Sequence, residues 1–368
     1  MMATKVCHIT SMHKPFDGRI FLKQCVSLSR KYDVSLIQAN TEDQVRNGVK
    51  VYGVPIPISR FRRMMTRKPL LKKALEVDAD IYQIHDPELL SLIPKLKKRG
   101  KKIIFDSHEN FPGVIMIKEY LPLFIRRIVS RIYERYERKN LLFCDALFSV
   151  TPDIVTRLSK INEHAYLITN YPIYRESEDK RMWGKSVCFA GGITREWMHH
   201  QTIKALPFTR AKYRIVGGIG FSSYFEQLKQ LPGWNQVVFL GKIKHEEVDA
   251  FLQESSAGMA LYTYDDPNVN YKEGTLGNQK LFEYMMAGIP IITSHLHLWE
   301  QVVTENDCGL VVEPNEVQSI SDAINYLIDN PEDAKRMGNN ARCAVKEKYN
   351  WSTQEETLFK AYEYVEKL

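Results

Sequence analysis

Short β-branched runs alternate with longer helix-forming stretches through nearly the whole chain, and this alternation restricts the fold more than any other feature. A strand followed by a helix and then another strand pairs in parallel, because the crossover needs the helix to return the chain to the same edge. Candidate strands in the first half are Lys5–Ile9, Val34–Ile37, Ile81–Ile84, Ile103–Asp106, Ala146–Val150 and Tyr166–Ile168. In the second half they are Val187–Ala190, Tyr213–Gly217, Val237–Leu240, Gly258–Tyr262, Pro290–Thr293 and Gly309–Val312. Helical patterns such as Arg19–Arg30 and His245–Ser255 lie between them. The pattern runs twice, so the expected fold is α/β, with two doubly wound, Rossmann-like parallel-sheet domains. A chain of 368 residues has room for two cores of ordinary size.

The break falls in Tyr171–Lys185, which is polar, carries a proline and lacks periodicity. The expected division is residues 1–172, a linker over 173–185, a second domain over 186–350 and a terminal helix over 351–368. Ser352, with Glu355 three residues on, reads as the N-cap of that helix. The helix is expected to pack back on the first domain.

Charge separates the halves. Residues 1–175 hold 31 Lys and Arg against 17 Asp and Glu, a balance of +14, while the remainder carries −7. An anionic partner is therefore expected for the first half alone. Ser59–Lys73 and Arg126–Lys139 mix basic with apolar side chains, and Lys95–Lys102 is simply basic. Such segments suit anionic lipid headgroups; a solvated helix face gives the same pattern. No nucleic-acid reader motif accompanies the charge. Cys7, Cys25, Cys144, Cys188, Cys308 and Cys343 have neither C-x-x-C nor zinc spacing and read as free thiols. Residues 1–12 are too short and polar for a signal peptide, and no run of 18 apolar residues occurs, so no membrane-spanning helix is expected.

Doubly wound sheets bind ligands at the carboxyl ends of their strands, and two such sheets facing each other place a site in the cleft between them. Val216 leads into Gly217 and Gly218, and Leu240 into Gly241 and Lys242, where a phosphate or a ribose can approach the backbone. Plain tight turns read the same way. A stronger segment is the loop Gly274, Thr275, Leu276, Gly277 and Asn278, followed by a helix over Gln279–Ala287 that Gly288 ends at C′. A helix N-terminus suits a diphosphate. Lys280 and Glu283 share one face a turn apart, either as ligands or as an exposed ion pair. In the first half, His13, Asp17 and Arg19 follow the first strand, His85 and Asp86 follow Ile81–Ile84, and Asp106, Ser107, His108 and Glu109 follow Ile103 onward. A helix N-cap by Asp106 or Ser107 is the alternative there. No G-x-G-x-x-G follows the first strand, which argues against a nicotinamide enzyme.

Lys280-Leu281-Phe282-Glu283-Tyr284-Met285-Met286-Ala287-Gly288-Ile289-Pro290-Ile291-Ile292 resembles the signature helix of the group-one (family four) retaining glycosyltransferases of the GT-B fold. Thr10–Phe21, His85–Leu90 and Asp106–Glu109 resemble loops of one of its subgroups, so the likeness covers nearly the whole chain. The resemblance implies a UDP- or GDP-sugar donor, with Glu283 on the ribose. It implies Gly274–Asn278, Gly192, Gly218, Gly241 and Lys242 around the donor, and His108 near donor sugar and acceptor. Asp106, Glu109 and Lys280 join His108 as the catalytic set, and His13, Asp17, Arg19, His85 and Asp86 line the acceptor side. It also implies no cofactor, no metal and no nucleic acid, a saccharide or lipid-linked acceptor, and a cytoplasmic place at the inner face of an anionic membrane.

The chain departs from the family pattern at Thr275, where a Glu is usual, and at Gly192 and Trp197, where Arg and Lys usually grip the diphosphate. Arg195 and Lys280 are the nearest substitutes. A sugar-nucleotide epimerase shares the architecture but needs no acceptor, and a non-catalytic binding member would follow from the departures.

Overall fold

A computed structural model describes residues 3–55, 67–116, 118, 121–176, 181, 184–266 and 271–368. Residues 59–66 of the basic segment Ser59–Lys73 lie outside the described residues, as do 177–180 and 182–183 of the interdomain stretch. The chain divides into two compact units, one of residues 1–170 with 351–368, the other of residues 171–350. The division comes at Asn170 because Tyr171 buries its ring in the second unit, edge-on to Phe282 and Tyr349.

The first unit is built on strands β1 (Lys5–Thr10), β2 (Asp33–Ala39), β3 (Gln44–Arg46), β4 (Val49–Val54), β5 (Ile81–Ile84), β6 (Lys102–Ser107), β7 (Ala146–Ser149) and β8 (Ala165–Leu167). Their order is β3-β4-β2-β1-β5-β6-β7-β8, parallel throughout except at β3. The second unit holds β9 (Ser186–Ala190), β10 (Lys212–Val216), β11 (Val237–Phe239), β12 (Ala257–Ala260), β13 (Ile291–Ser294) and β14 (Gly309–Val312), all parallel, in the order β11-β10-β9-β12-β13-β14. Two doubly wound α/β sheets are therefore present, and every strand segment named from the sequence is a strand.

The hairpin β3–β4 was not anticipated. Its turn is Asn47-Gly48, with φ of 50° and 78°, the left-handed pair that a two-residue hairpin requires. Val49 and Val51 are buried and Lys50 is exposed, the period of a strand covered on one face.

In the first unit alternate residues serve opposite faces. Cys7, Ile9, Tyr82, Ile84, Ile103 and Phe105 form one core. Val6, Ile81 and Ile104 enter the other, which the terminal helix Trp351–Lys367 completes with Trp351, Leu358, Ala361, Tyr362 and Val365. Burying a side chain the size of Leu358 contributes about 1.5–3 kcal/mol. This helix begins at Trp351, so Ser352 lies inside its first turn and is not the cap expected from the sequence. Glu355 is turned away from the helix start, accepting a short hydrogen bond from Ser27 and pairing with Arg30 at 2.9 Å. The second unit has one core around Phe189, Tyr213, Tyr284 and Trp299. Five of the six cysteines are buried, and all are free thiols.

Candidate active site

In the first unit the adjacent strands β1, β5 and β6 end side by side, and the loops beyond them carry the chemistry. After β1 the chain turns through His13 into Asp17, whose carboxylate accepts from the backbone N–H groups of Arg19 and Ile20 at 2.8 and 2.9 Å. Asp17 thus caps the helical stretch that runs as a π-helix over Gly18–Cys25 and as α-helix over Val26–Leu28. The cap aims Arg19 inward. Its guanidinium is buried and forks onto Asp106, with Nη2 to Oδ1 at 2.7 Å and Nε to Oδ2 at 3.2 Å, while Nη1 donates to the carbonyl of Ile168.

Asp106 is therefore the last-but-one residue of β6, at the end of the strand expected over Ile103–Asp106, and wholly buried, not the helix N-cap that its place in the sequence allowed. Burial opposes its ionisation, but Arg19 and His108 outweigh burial and hold the carboxyl well below the usual range. Asp86 ties β5 to the first loop, accepting from Thr10 Oγ1 at 2.9 Å and from the backbone and hydroxyl of Ser11. His13 Nε2 stands 3.5 Å from Asp86. Burial would neutralise His13, yet the neighbouring Asp17 and Asp86 prevail and favour its cation. Burial pushes His85 down to about 4, so it is neutral at ordinary pH.

His13, His85, Asp86, His108, Glu109 and Tyr133 line a pocket of about 270 Å³ in this unit. Of the acceptor-side and catalytic residues named for the first half, His13, His85, Asp86, His108 and Glu109 thus meet, while Asp17 caps the helix that follows. Arg19 and Asp106 lie beneath the pocket as its support, and Glu109 is exposed at its rim. His85 Nδ1, Asp106 Oδ2 and His108 Nε2 lie 3.2–3.4 Å apart, the one set among the described residues placed to ligate a metal ion. The same carboxylate is already neutralised by the buried Arg19 guanidinium. A divalent ion there would share that carboxylate with a fixed positive charge.

In the second unit the glycine turns after β9 and β10 abut. At Gly217, φ is 144°, and an added Cβ would fall 1.7 Å from the carbonyl oxygen of Gly191. At Gly191, φ is 154°, and a Cβ would strike Lys280 Cε at 2.3 Å. Only glycine therefore lets these two turns meet with Lys280 laid across them. Lys242 lies similarly over Gly218, while Gly241 leaves open space and a Cβ at Gly192 would meet only Thr194 Cγ2, at 3.9 Å.

The signature helix Gln279–Ala287 starts at Asn278, whose side chain caps it by accepting from Lys280 N–H at 3.2 Å, and ends at Gly288 with φ of 72°. The preceding loop is pinned. Thr275 accepts from Gly277 N–H through its hydroxyl and from Trp299 Nε1 through its carbonyl at 2.6 Å. The side chain of Leu276 packs on the core, and Gly274 has no room for a Cβ beside Leu296.

Lys280 does not pair with Glu283 as an exposed helix pair would. Its ammonium lies 4.4 Å from the centre of the Trp197 ring and 5.6 Å from that of Phe189. Burial lowers its pKa, and Glu283 opposes this only in part. Trp197 is buried among Phe189, Tyr262 and Trp299. Where the family pattern has a cation, this chain thus has an aromatic floor beneath another cation. Arg195 is turned elsewhere, donating to Gln227 at 2.9 Å and stacking on Tyr224.

The sequence reading missed this floor, as well as the buried polar residues His8, Gln24, Gln83 and Tyr362 behind the first-unit pocket. The one signal was a histidine and a glutamine placed inside otherwise apolar strands.

A family model described as glycosyl transferases group 1 matches residues 170–343, and one described as Glycosyltransferase Family 4 matches residues 22–170. An uncharacterized glycosyltransferase, MJ1069 of Methanocaldococcus jannaschii, is 26% identical over 92% of this chain and 91% of its own length. Among solved structures, sucrose-phosphate synthase from Thermosynechococcus elongatus aligns with a TM-score of 0.74 at 14% identity, covering 98% of each chain. Anabaena HepE, solved in complex with UDP and glucose, aligns with a TM-score of 0.70 at 14% identity over 98% of this chain and 99% of its own. The likeness to these structures is one of fold.

Proposed function

The chain belongs to the group 1 glycosyltransferases, its two halves matching the two family models in turn, and from that premise we propose that it transfers a hexosyl group, with retention, from a nucleoside diphosphate sugar to an acceptor hydroxyl. The observation that carries the donor half is the cation held at the glycine turns. Lys280 lies across Gly191 at the end of β9, one helical turn from Glu283. A diphosphate approaching these turns meets an ammonium, open backbone at Gly192 and the N-terminal end of a helix. Negative charge grows on the diphosphate as the glycosidic bond breaks, so a cation fixed in advance stabilises the transition state more than the ground state. No metal is required for that role. Glu283 is the ribose ligand, and Lys242 beside Gly218 adds a second positive group. HepE, which shares the fold, was solved with UDP and glucose, and a uridine nucleotide is the first donor to try.

The pocket of His13, His85, Asp86 and His108 takes the acceptor and the sugar. The acceptor is a saccharide or a lipid-linked saccharide used in surface polysaccharide synthesis. The surface of the first unit supports a membrane-bound acceptor. On the helix Leu123–Leu141, Phe124, Ile128 and Ile132 are exposed at four-residue spacing, and Arg127, Arg131 and Arg135 are exposed on the neighbouring ridge at the same spacing. Apolar and basic ridges side by side suit an anionic bilayer surface. No helix among the described residues is long and apolar enough to cross a membrane.

The test is incubation with a panel of UDP- and GDP-sugars, with and without saccharide and lipid-linked acceptors, and NMR of the product's anomeric proton. Acceptor-dependent transfer with the donor's anomeric configuration supports the reading. Acceptor-independent sugar conversion points to an epimerase, and donor binding without turnover to a binding protein.

A further inference from the structure

Behind the first-unit pocket the buried polar groups close into a ring. His8 on β1 and Gln83 on β5 are direct neighbours in the parallel register, and Asp106 on β6 lies one strand further. Each lies two residues beyond Val6, Ile81 or Ile104 and shares its face of the strand, so all three face the terminal helix, from which Tyr362 enters. Gln24 Nε2 donates to Asp106 Oδ2 at 2.8 Å, and Gln83 Nε2 donates to Gln24 Oε1 at 2.5 Å. Tyr362 donates to Gln83 Oε1 at 2.6 Å. Tyr362 Oη lies 3.3 Å from His8 Nε2, His8 Nδ1 lies 2.9 Å from His85 Nε2, and His85 Nδ1 lies 3.2 Å from His108 Nε2. His108 Nε2 is in turn 3.4 Å from Asp106 Oδ2.

The directions follow from two groups together, the Asp106 carboxylate, which can only accept, and the Tyr362 hydroxyl, which has one proton to give. Facing Asp106, Gln24 must present its NH₂, so its carbonyl faces Gln83. Gln83 must then present its own NH₂ to Gln24 and its carbonyl to Tyr362. Tyr362 spends its single proton on that carbonyl and can only accept from His8. His8 therefore carries its proton on Nε2 and accepts at Nδ1 from His85 Nε2–H. His85 Nδ1 is left as an acceptor 3.4 Å from Asp106 Oδ2, and His108 stands between these two acceptors and meets both with its Nε2–H. Burial keeps both inner histidines neutral, His8 well below the ordinary range and His85 at about 4.

We propose that Tyr362, His8 and His85 are positioning residues that lock His108 as its Nε2–H tautomer, so that Nδ1 meets the substrate as a hydrogen-bond acceptor for a sugar hydroxyl. His108 lines the pocket, and its Nδ1 makes no hydrogen bond among the described residues. The identity of that hydroxyl rests on the transferase reading; the tautomers do not. Removing the Tyr362 hydroxyl takes away the acceptor of His8 Nε2–H. The chain of protons then reverses, His85 donates from Nδ1 to Asp106, and His108 presents N–H where it had presented a lone pair.

The experiment is a long-range ¹H–¹⁵N correlation spectrum of the full chain labelled at histidine, with peaks assigned by single substitution. In the wild type, His8, His85 and His108 should each show a protonated Nε2 and an unprotonated Nδ1. Protonated Nδ1 at His85 or His108 overturns the proposal, and this spectrum decides even where variants fail to fold. In Tyr362→Phe the pattern should invert, with kcat down roughly tenfold or more and donor affinity unchanged. Unchanged tautomers with unchanged kcat overturn it. Loss of the His108 Nε2 proton, with a metal-bound shift of His85 Nδ1, at one equivalent of zinc would make the cluster a metal site and also overturn it. The expected tautomers without transfer from any donor would leave the ring standing and defeat the transferase reading instead.

Discussion

Replacing Lys280 by Met should separate stability from activity. The unbranched side chain keeps the aliphatic stem, packs its sulfur on Trp197 and Phe189, and removes only the ammonium now 4.4 Å from the Trp197 ring centre. In the free protein that ammonium is poorly solvated, which is why its pKa is lowered by burial. The cation–π attraction lost, about 0.5–2 kcal/mol, opposes the desolvation relieved, and an apolar replacement of a buried charge is commonly neutral. The net change in stability should stay within about 1 kcal/mol, or about 2–4 °C in Tm for a unit of this size. Donor turnover should respond very differently. A hydrogen bond to a charged group contributes about 1.5–3 kcal/mol, so kcat/KM for the donor should fall about 10- to 150-fold. The pH dependence has a definite sign. The folded chain disfavours the protonated amine, so the stability penalty is present below the lowered pKa and is relieved as pH rises through it. Donor binding moves the opposite way and should weaken at a pH below that expected of an ordinary lysine. Differential scanning fluorimetry beside donor kinetics checks both. Full activity in Lys280→Met, or a Tm loss large enough to explain the activity loss, would refute the assignment.

Glu283→Ala should weaken donor binding by about 10- to 150-fold, since it removes a charged acceptor from the ribose; near-normal affinity by calorimetry removes Glu283 from the site. His108→Ala should lower turnover while leaving UDP or GDP affinity intact, because the pocket it lines belongs to the first unit; lost nucleotide binding would mean the site is misplaced. Arg19→Met should destabilise the chain by about 3–5 kcal/mol by leaving Asp106 buried without its counter-charge, and Arg19→Met with Asp106→Asn should recover part of that in denaturant titration. Additive losses would deny the coupling. Arg127, Arg131 and Arg135 changed together to Gln should reduce co-sedimentation with phosphatidylglycerol vesicles at low salt, and 1 M salt should do the same to the wild type; equal binding to neutral vesicles would rule out charge as the attractor.

The regular part of the fold was readable because each strand buried on both faces is a continuous apolar run, such as Ile103–Phe105, that depends on nothing distant. The hairpin Gln44–Val54 was missed although Asn47-Gly48 is a turn with its own chemistry, because its exposed first strand carries no apolar pattern. The pocket residues were found because polar side chains after apolar strands have few structural reasons to be there. Their division of labour was not. Whether Asp106 meets solvent or Arg19 depends on residues 87 positions apart, and the aromatic floor under Lys280 joins Phe189, Trp197, Tyr262 and Trp299, whose contacts no local period encodes.

The terminal helix has a consequence for how the protein is made. Residues 1–170 leave the ribosome long before Trp351, Leu358, Tyr362 and Val365 exist to cover one face of their sheet. The first half must then wait, with Phe21, Phe148 and Ile168 incompletely covered, while the uninterrupted second unit is synthesised and completes its own core. Chaperone demand during synthesis should therefore be concentrated on the nascent first half. Deleting residues 351–368 removes the same cover permanently, along with the tyrosine on which the buried ring turns.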